Sequence, residues 1–533
     1  MKNSSSISTV FLSMLAAALT ALALWAWWIL QDLPLIVGRP HPLAWDIISF
    51  SRQLNGEATA GANVSNLDNP MVQLGVWFFR HYGGNSWSMV LPQAPFLFLL
   101  VVSSGLLAWR LGGRSAGAIA PWIAVFAPMT VGLAVNLDDL TPLQALMTAA
   151  LAALAWSDGR KRQFVGLLAV PCAALAGKAP LWFSTGLLFL IIFAVAAGSL
   201  VLWQWSQWLS RRRLVGEAMG QPPGWLSSPW PATLCALLAV AVCLSYNWPL
   251  PSRYLAREAS RSDLARLSWH KDASVLLVGL VTWFRFHAGP TLGAITLAGL
   301  AIAARRRVSA ILPLMGWVFL PAMLIAFLTK RHDFYLVTAV PGTYVLAAVG
   351  LGSLQNVRYR RAAVVLAVTL LANAWLGVMA RGAPMPTGRF SRMFEGHISP
   401  YLFSPYDFPR DGFDVISGQY LAEKCGPRGL AVVMARFGLL RAPAGFYAWY
   451  ADPKLRIFDL NPPPRPPYKG FCLVLDNFDP ARDSLRVRLR EIMARNELGT
   501  PIVIQFVNEL LARSSRFTTK QVFNQTIFVE QAR

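Results

Sequence analysis

Residues 181–204 read LWFSTGLLFLIIFAVAAGSLVLWQ, a stretch without a single charged side chain. A helix needs about 20 consecutive apolar residues to cross the hydrocarbon core of a bilayer, so this stretch predicts a transmembrane helix. Three arginines, Arg211–Arg213, follow it within a few residues. Basic residues beside an apolar segment are typical of the cytoplasmic end of a membrane span.

The whole chain shares this character. Of its 533 residues, 55% are hydrophobic and only 14% are charged, whereas an ordinary soluble domain carries about 25% charged residues. The mean hydropathy is +0.45. These values exclude a soluble enzyme, a fibrous protein and a disordered chain. They predict a polytopic α-helical integral membrane protein.

Apolar segments of membrane-spanning length recur along the first 380 residues, and their pattern predicts about eleven transmembrane helices. The long segment at 274–304 contains Gly289-Pro290, which is expected to divide it into an interfacial helix and a short span. The eleven segments are 7–31, 88–109, 115–134, 140–156, 163–177, 181–204, 230–247, 274–304, 309–329, 334–352 and 362–380.

Basic residues mark every second loop between these segments, with 14 of them against two acidic residues, Asp158 and Glu217. Because cytoplasmic loops carry an excess of Lys and Arg, these loops and the N-terminus are predicted to be cytoplasmic. Eleven crossings then place the chain after residue 381 outside. The 14 residues are Arg110, Arg114, Arg160, Lys161, Arg162, Arg211–Arg213, Arg305–Arg307, Arg358, Arg360 and Arg361.

Two extramembrane pieces are predicted on the outer face. The first is the outer loop 32–86, and the second is the region 381–533, which is long enough to form its own core. In that region, 429–434 and 471–475 have strand patterns, and 484–496 and 503–513 have helical ones. We therefore expect a transmembrane module over 1–380 and an extracytoplasmic α/β domain over 381–533.

The net charge of +22 does not indicate a nucleic-acid-binding protein, because the basic residues punctuate apolar segments and form no single stripe or arm. Membrane lipids and a lipid phosphate are the expected partners. Among the five cysteines, Cys425 and Cys472 lie in the polar C-terminal region. In an extracytoplasmic domain these two can pair or simply pack, and the sequence favours neither.

Acidic residues concentrate in the outer loops, and three of them are candidate catalytic residues. Asp46 stands just beyond the first segment, and Asp138 and Asp139 stand at the start of the fourth. A carboxylate in such a place can simply cap a helix. Two adjacent acids exceed what one cap requires, however. Carboxylates from separate loops on one face can act as base and orienter, or hold a cation.

Cationic residues on the same face are candidates for binding a phosphate group. Lys178 lies between two apolar segments, and Lys330, Arg331 and Tyr335 belong to the run KRHDFY. Snorkelling of a long cationic side chain to the interface is the simpler explanation for Lys178. On the outer side, however, a lysine departs from the positive-inside bias, which favours a function such as phosphate binding.

Several motifs of other enzyme classes are absent. The chain has no GxxxxGK[ST] loop, no HExxH and no CxxC, so ATP-driven transport, zinc proteolysis and thiol redox chemistry lack their usual support. One GxSxG match occurs at 113–117, but it begins a membrane segment and no strand precedes it. We interpret this match as chance.

Taken in order, these features resemble the GT-C membrane glycosyltransferases of the protein O-mannosyltransferase and lipid A aminoarabinose transferase type, glycosyltransferase family 39. That family has an acidic residue in the first outer loop, here Asp46, and an acidic motif at the outer start of the fourth span, here Asp138 or Asp139. Its Lys-Gly-Pro-like turn corresponds to 177–180, and its basic-plus-Tyr turn to 330–335.

This chain departs from the family pattern at two positions. Relatives usually show Asp-Glu in the first loop, whereas here Ile47 follows Asp46. Asp68-Asn69-Pro70 falls where relatives carry an acidic residue or His, sometimes Lys, before Pro. A metal held by the second acid of the first loop and a phosphate-binding lysine at position 69 therefore do not carry over.

The resemblance implies inverting transfer of a sugar from a polyprenyl-phosphate donor to an acceptor at the outer face of a bacterial inner membrane. Asp46 would act as general base, and Asp138 or Asp139 would orient the acceptor or a cation. The only cofactor that the resemblance would allow is a divalent cation, for which Asp68 is the candidate ligand. The donor phosphate would be bound by Lys178, Lys330, Arg331 and Tyr335.

Two other classes of function are compatible with the sequence. A transporter or flippase of a lipid-linked sugar explains the spans and the outer cations equally well, but it predicts ionisable residues near mid-membrane. Most segments lack such residues. The other class is a structural protein whose C-terminal domain binds a partner. In such a protein, alanine at Asp46 should change nothing but stability. The sequence specifies neither the sugar nor the acceptor.

Overall fold

A computed structural model describes most of the chain. The described residues are 4–31, 42–54, 69–82, 88, 90–127, 130, 134, 140–157, 162–179, 183–219, 228–247, 289–326, 338–379, 412–435, 448, 451–452, 454–459, 469–476, 478–495, 501–522 and 525–531. They belong to two compact units. Unit 1 comprises Met1–Gln31, Asn69–Met71 and Val90–Pro405, and unit 2 comprises Asp32–Asp68, Val72–Met89 and Tyr406–Arg533.

The described part of unit 1 is helical, and helix is present in each of the eleven segments that the sequence singles out. Its helices are α1 (Ser4–Gln31), α4 (Gln93–Phe126), α5 (Leu140–Trp156), α6 (Gln163–Leu167), α7 (Ala169–Lys178), α8 (Phe183–Met219), α9 (Trp230–Asn247), α10 (Gly289–Arg305), α11 (Ile311–Ala326), α12 (Val340–Gly352) and α13 (Val357–Met379).

Helix α4 is a helical hairpin and not one straight rod. Its backbone turns at Gly113, which has φ +81° and ψ −177°. A Cβ added at Gly105 would lie 2.7 Å from Cγ of Pro121, whereas sixteen residues of straight helix would separate these positions by about 24 Å. The arms 93–112 and 114–126 are therefore antiparallel. They occupy the second and third predicted segments.

Three helices among the described residues are long and apolar enough to cross a membrane: Ile7–Trp27, Gln93–Phe126 and Phe189–Ser210. The second of these contains both arms of the hairpin. The remaining apolar helices have 10 to 17 residues each. Because these helices are shorter than a typical membrane span, the count of eleven crossings stays a prediction. The expected interfacial helix at 274–287 lies outside the described residues.

Small residues allow the helices of unit 1 to approach closely. A Cβ on Gly350 of α12 would overlap the Gly299 backbone of α10, and one on Gly352 would lie 2.8 Å from the Ala116 nitrogen. Both glycines thus lie where a larger side chain would separate the helices. Without a hydrophobic driving force between helices in lipid, such close packing is what holds them together.

Unit 2 contains a five-stranded mixed sheet of order β2-β1-β3-β5-β4. Strands β2, β1 and β3 are parallel, whereas β5 runs antiparallel to both β3 and β4. Its elements are α2 (Pro42–Leu54), most of α3 (Pro70–His81), α14 (Gly412–Cys425), β1 (Ala431–Ala435), β2 (Ile457–Asp459), β3 (Phe471–Asp476), α15 (Leu485–Arg495), α16 (Pro501–Ala512), β4 (Phe517–Val522) and β5 (Gln525–Glu530).

Strands β1, β3 and β5 bury residues on both faces of the sheet, as continuously apolar strands require, whereas the edge strand β4 is mostly exposed. Val432 and Val474 pack with Leu421 of α14 on one face. On the other face, Leu473 packs with Phe506 of α16. The two strands and two helices predicted from sequence here lie where β1, β3, α15 and α16 are found. The domain boundary at 380/381 stays a prediction.

A disulfide joins Cys425 and Cys472. Cys425 ends α14 and Cys472 lies in β3, and both are fully buried in the core on that face of the sheet. The sequence left pairing and packing as equal alternatives, and the structure has the pair bonded. The other three cysteines, Cys172, Cys235 and Cys243, are free.

Candidate functional site

Seven of the described arginines of unit 1 lie at one end of its helices, which we call the arginine end: Arg110, Arg162, Arg212, Arg305–Arg307 and Arg358. Hydrogen bonds bring these helix ends together. Arg110 Nε donates to the Ala155 carbonyl at 2.9 Å, and Trp203 Nε1 donates to Ser309 Oγ at 3.2 Å.

Tryptophan rings cover guanidinium groups at this end. The Arg110 guanidinium lies 5.5 Å from the centre of the Trp203 ring, and that of Arg162 lies 5.0 Å from the Trp156 ring. Amphipathic tryptophans and arginines are typical of a membrane interface. This end therefore has the charge and the aromatic composition of a membrane boundary.

The opposite end, called the lysine end, carries Trp25, Thr130, Ala134, Lys178 and Tyr344. Trp25 Nε1 donates to the Ala134 carbonyl at 2.8 Å, and Thr130 donates to the Tyr344 hydroxyl at 2.9 Å. Helix α6 lies at the arginine end, because a Cβ on Gly166 would lie 2.9 Å from the Ser157 Cβ. The chain runs from there to the opposite end, where Lys178 lies. Helix α7 continues from α6 and ends at Lys178.

One buried amide joins two segments that the sequence singles out at the lysine end. Asn69 Nδ2 donates to the carbonyl of Ala179 at 2.9 Å, and Asn69 Oδ1 accepts from the amide of Met71 at 2.8 Å. The side chain therefore caps α3, whose first residue is Pro70, and holds the turn after α7. Asn69 itself is only 7% exposed.

Lys178 stands between two fixed backbone positions. On its far side, Gly177 packs so closely on α9 that an added Cβ would lie 3.3 Å from the Cys243 Cα. On its near side, Ala179 is held by Asn69. The Lys178 side chain is exposed. Lys178 is the last residue of α7, where the helix dipole favours a positive charge. The dipole explains why a cation lies here, but it does not explain why the backbone on both sides of Lys178 is held in place.

Asp46 lies within α2, an amphipathic helix of unit 2. The buried face of α2 carries Ile47 and Ile48. A Cβ on Gly75 of α3 would overlap Ile47, so α2 and α3 pack directly on each other. The backbone of Asp46 is helical, and its side chain is not among the described ones.

The other candidate residues lie outside the described part of the chain: Asp68, Asp138, Asp139, Lys330, Arg331 and Tyr335. Their roles stay predictions. Within the described residues, no three His, Cys, Asp or Glu side chains come together as a metal site would require.

The role of Asn69 as a structural link could not be predicted from the sequence, in which this residue stands out only as a departure from a family pattern. An Asn-Pro pair before an apolar run does predict a helix start at Pro70. Its second partner, Ala179, lies 110 residues away, and no local signal indicates that contact.

No protein-family model and no curated protein matches the chain. Among solved structures, ArnT from Cupriavidus metallidurans in its apo state aligns over 98% of both chains, with 16% identity and a TM-score of 0.51. ArnT bound to undecaprenyl phosphate aligns over 97% of both chains with 16% identity and a TM-score of 0.47. The apo Archaeoglobus fulgidus oligosaccharyltransferase aligns over 84% of this chain and 64% of its own, with 13% identity and a TM-score of 0.45.

The first of these alignments establishes the fold. The chain has the fold of ArnT, which is a lipid A aminoarabinose transferase and a GT-C fold glycosyltransferase. The resemblance found in the sequence is thus confirmed at the level of the fold.

Proposed function

We propose that this protein is a membrane glycosyltransferase that moves a sugar from a polyprenyl-phosphate donor to an acceptor. The observation that carries the proposal is the ArnT fold over 98% of the chain. The hydrogen bond that joins Asn69 to the turn beside Lys178 supports it. This bond unites two segments that the family pattern assigns to one site.

In the proposed reaction, a nucleophilic oxygen or nitrogen of the acceptor attacks the anomeric carbon of the sugar. The bond from that carbon to the phosphate oxygen breaks, and its electron pair leaves with the polyprenyl phosphate. Asp46 takes the proton of the acceptor as general base, on the face opposite the phosphate, and the configuration inverts. Asp138 or Asp139 orients the acceptor.

Lys178, Lys330, Arg331 and Tyr335 stabilise the charge that develops on the departing phosphate. Of these residues Lys178 has direct geometric support, because its exposed side chain extends from a backbone fixed on both sides. A preorganised cation is effective because little reorganisation is needed when the charge develops. A divalent cation held by Asp68 remains a separate hypothesis, and no step above requires one.

We further propose that the protein lies in a bacterial inner membrane with eleven crossings and its arginine end in the cytoplasm. The charge of that end supports this orientation. The lysine end and the sheet of unit 2 then lie in the periplasm, within a domain that begins near residue 381. The Cys425–Cys472 disulfide supports an oxidising compartment for that sheet.

The test is consumption of donor by the purified protein in detergent, with a panel of polyprenyl-phosphate sugars and a membrane extract that supplies acceptors. ArnT has been solved bound to undecaprenyl phosphate, so donors on that lipid are the first to try. We expect the wild type to release undecaprenyl phosphate from one donor and Asp46→Asn to release it at least about 100-fold more slowly. Binding of donors without consumption by the wild type would instead favour a transporter.

A further inference from the structure

The Asn69 side chain uses both halves of its amide group in separate contacts. Its nitrogen donates to the Ala179 carbonyl at 2.9 Å and its oxygen accepts from the Met71 amide at 2.8 Å. Both contacts are buried. A buried amide whose nitrogen and oxygen are both hydrogen-bonded is held in place, because moving it would leave a buried polar group unpaired.

The two contacts stabilise different parts of the structure. Acceptance from Met71 caps α3 and is local, since it spans only two residues. Donation to Ala179 crosses 110 residues of sequence and reaches the turn directly after α7. Of the two contacts, the second is therefore the one that holds the turn that carries Lys178.

The turn has a second anchor on the opposite side of Lys178. Gly177 packs against the backbone of Cys243 in α9, where a Cβ would lie 3.3 Å from Cα and 3.4 Å from the carbonyl oxygen. With Gly177 packed and Ala179 bonded, the Lys178 Cα has little freedom. The side chain beyond it remains exposed. This is the arrangement expected for a charge that must meet a ligand at a set place.

We infer that Asn69 is a positioning residue that sets Lys178 for the phosphate group of a polyprenyl phosphate. Asn69 acts through the Ala179 carbonyl and does not itself contact the lipid. The inference rests on the proposed function, because it assigns Lys178 to the phosphate of the donor. The family pattern has an acidic, His or Lys residue at position 69. In this chain Asn69 affects phosphate binding through the backbone of the turn that carries Lys178.

Two substitutions at Asn69 separate its contacts. Asn69→Asp keeps an oxygen for the Met71 amide but turns a carboxylate oxygen toward the Ala179 carbonyl, so the cap is retained and the link to the turn is lost. Asn69→Ala removes both contacts. Trp156→Phe is the matched control, since it removes a side-chain hydrogen bond of 2.8 Å to the Leu106 carbonyl at the arginine end.

The experiment measures the affinity of the full-length protein in detergent for undecaprenyl phosphate, with undecaprenol as the ligand that lacks the phosphate. We expect Lys178→Gln to weaken undecaprenyl phosphate binding about tenfold, as loss of one charge-assisted hydrogen bond does. Asn69→Asp should weaken it about fivefold and leave undecaprenol binding unchanged. In the Lys178→Gln background, Asn69→Asp should cause no further loss, because a residue that acts through Lys178 has nothing left to position.

The possible results separate the two proposals. Absence of undecaprenyl phosphate binding by the wild type would overturn the proposed function and, with it, the inference. Wild-type binding that is weakened by Lys178→Gln but not by Asn69→Asp would overturn the inference alone. So would additive losses in the double variant, or an equal loss with Trp156→Phe or with undecaprenol, because each would indicate a general structural effect.

Discussion

The hydroxyl of Thr130 donates a 2.9 Å hydrogen bond to the hydroxyl of Tyr344, although 214 residues separate them. Both side chains are fully buried. Thr130 follows the second arm of the α4 hairpin, and Tyr344 lies in the second turn of α12. The contact therefore ties the end of the hairpin to α12 near the loops that carry the candidate residues.

Tyr344→Phe should lower the stability of the protein by about 1–3 kcal/mol, because it leaves the buried Thr130 hydroxyl without its acceptor. The thermal unfolding temperature of the detergent-purified protein reports this loss. Thr130→Val combined with Tyr344→Phe should recover part of the loss, since both polar groups are then replaced. An unchanged unfolding temperature in Tyr344→Phe would show that this contact is not formed.

Gly350→Ala should destabilise the protein strongly, because the added methyl group would overlap the Gly299 backbone where α10 and α12 cross. We expect low yields of folded protein, measured by size-exclusion chromatography in detergent. Gly198→Ala is the matched control, since a Cβ at Gly198 of α8 meets no atom within 4 Å. That variant should be stabilised by about 0.5–1 kcal/mol. Equal behaviour of the two variants would contradict the described packing.

The helices of unit 1 could be predicted because hydrophobic segments and their charged borders are local signals. The predicted segments 140–156 and 230–247 agree with α5 and α9 at both ends. The glycines of the GxSxG match also have a local explanation. Gly113 forms the hairpin turn with a positive φ, and Gly117 packs against Trp109, so the match has no role as a nucleophile elbow.

The site could be predicted only in part, since its contacts join residues far apart in sequence. Lys178 was identified by its position at a membrane boundary, but nothing near it in sequence indicates the bond from Asn69 to Ala179. The pairing of Cys425 with Cys472 depends on the placement of α14 against β3, which no local pattern specifies. The same reasoning applies to the bond between Thr130 and Tyr344.

Counting reactive thiols tests the disulfide. Unfolded in SDS without reductant, the wild type should react with three equivalents of a maleimide, at Cys172, Cys235 and Cys243. After reduction it should react with five, because Cys425 and Cys472 are released. Gel shifts with a polyethylene-glycol maleimide give these counts directly. Cys425→Ser should show four thiols without reductant, and five thiols in the unreduced wild type would mean that no bridge forms.

Labelling of single cysteines in intact cells tests the proposed orientation. We would introduce Lys178→Cys or Arg306→Cys, both exposed positions, into a chain whose three free cysteines are replaced by alanine. A membrane-impermeant maleimide should label position 178 in intact cells, because the lysine end faces outward. Position 306 lies at the arginine end and should react only after the cells are opened. The reverse pattern would invert the topology.

Separate measurements on Asp46 and Lys178 variants test most directly the claim that the protein transfers a sugar from a polyprenyl-phosphate donor. With the donor that the panel identifies, kcat and the affinity for donor are measured for wild type, Asp46→Asn and Lys178→Gln. We predict that Asp46→Asn lowers kcat by about 100-fold or more, as loss of a general base does, and leaves donor affinity unchanged. Lys178→Gln should weaken donor binding. Undiminished sugar transfer by Asp46→Asn would contradict the account.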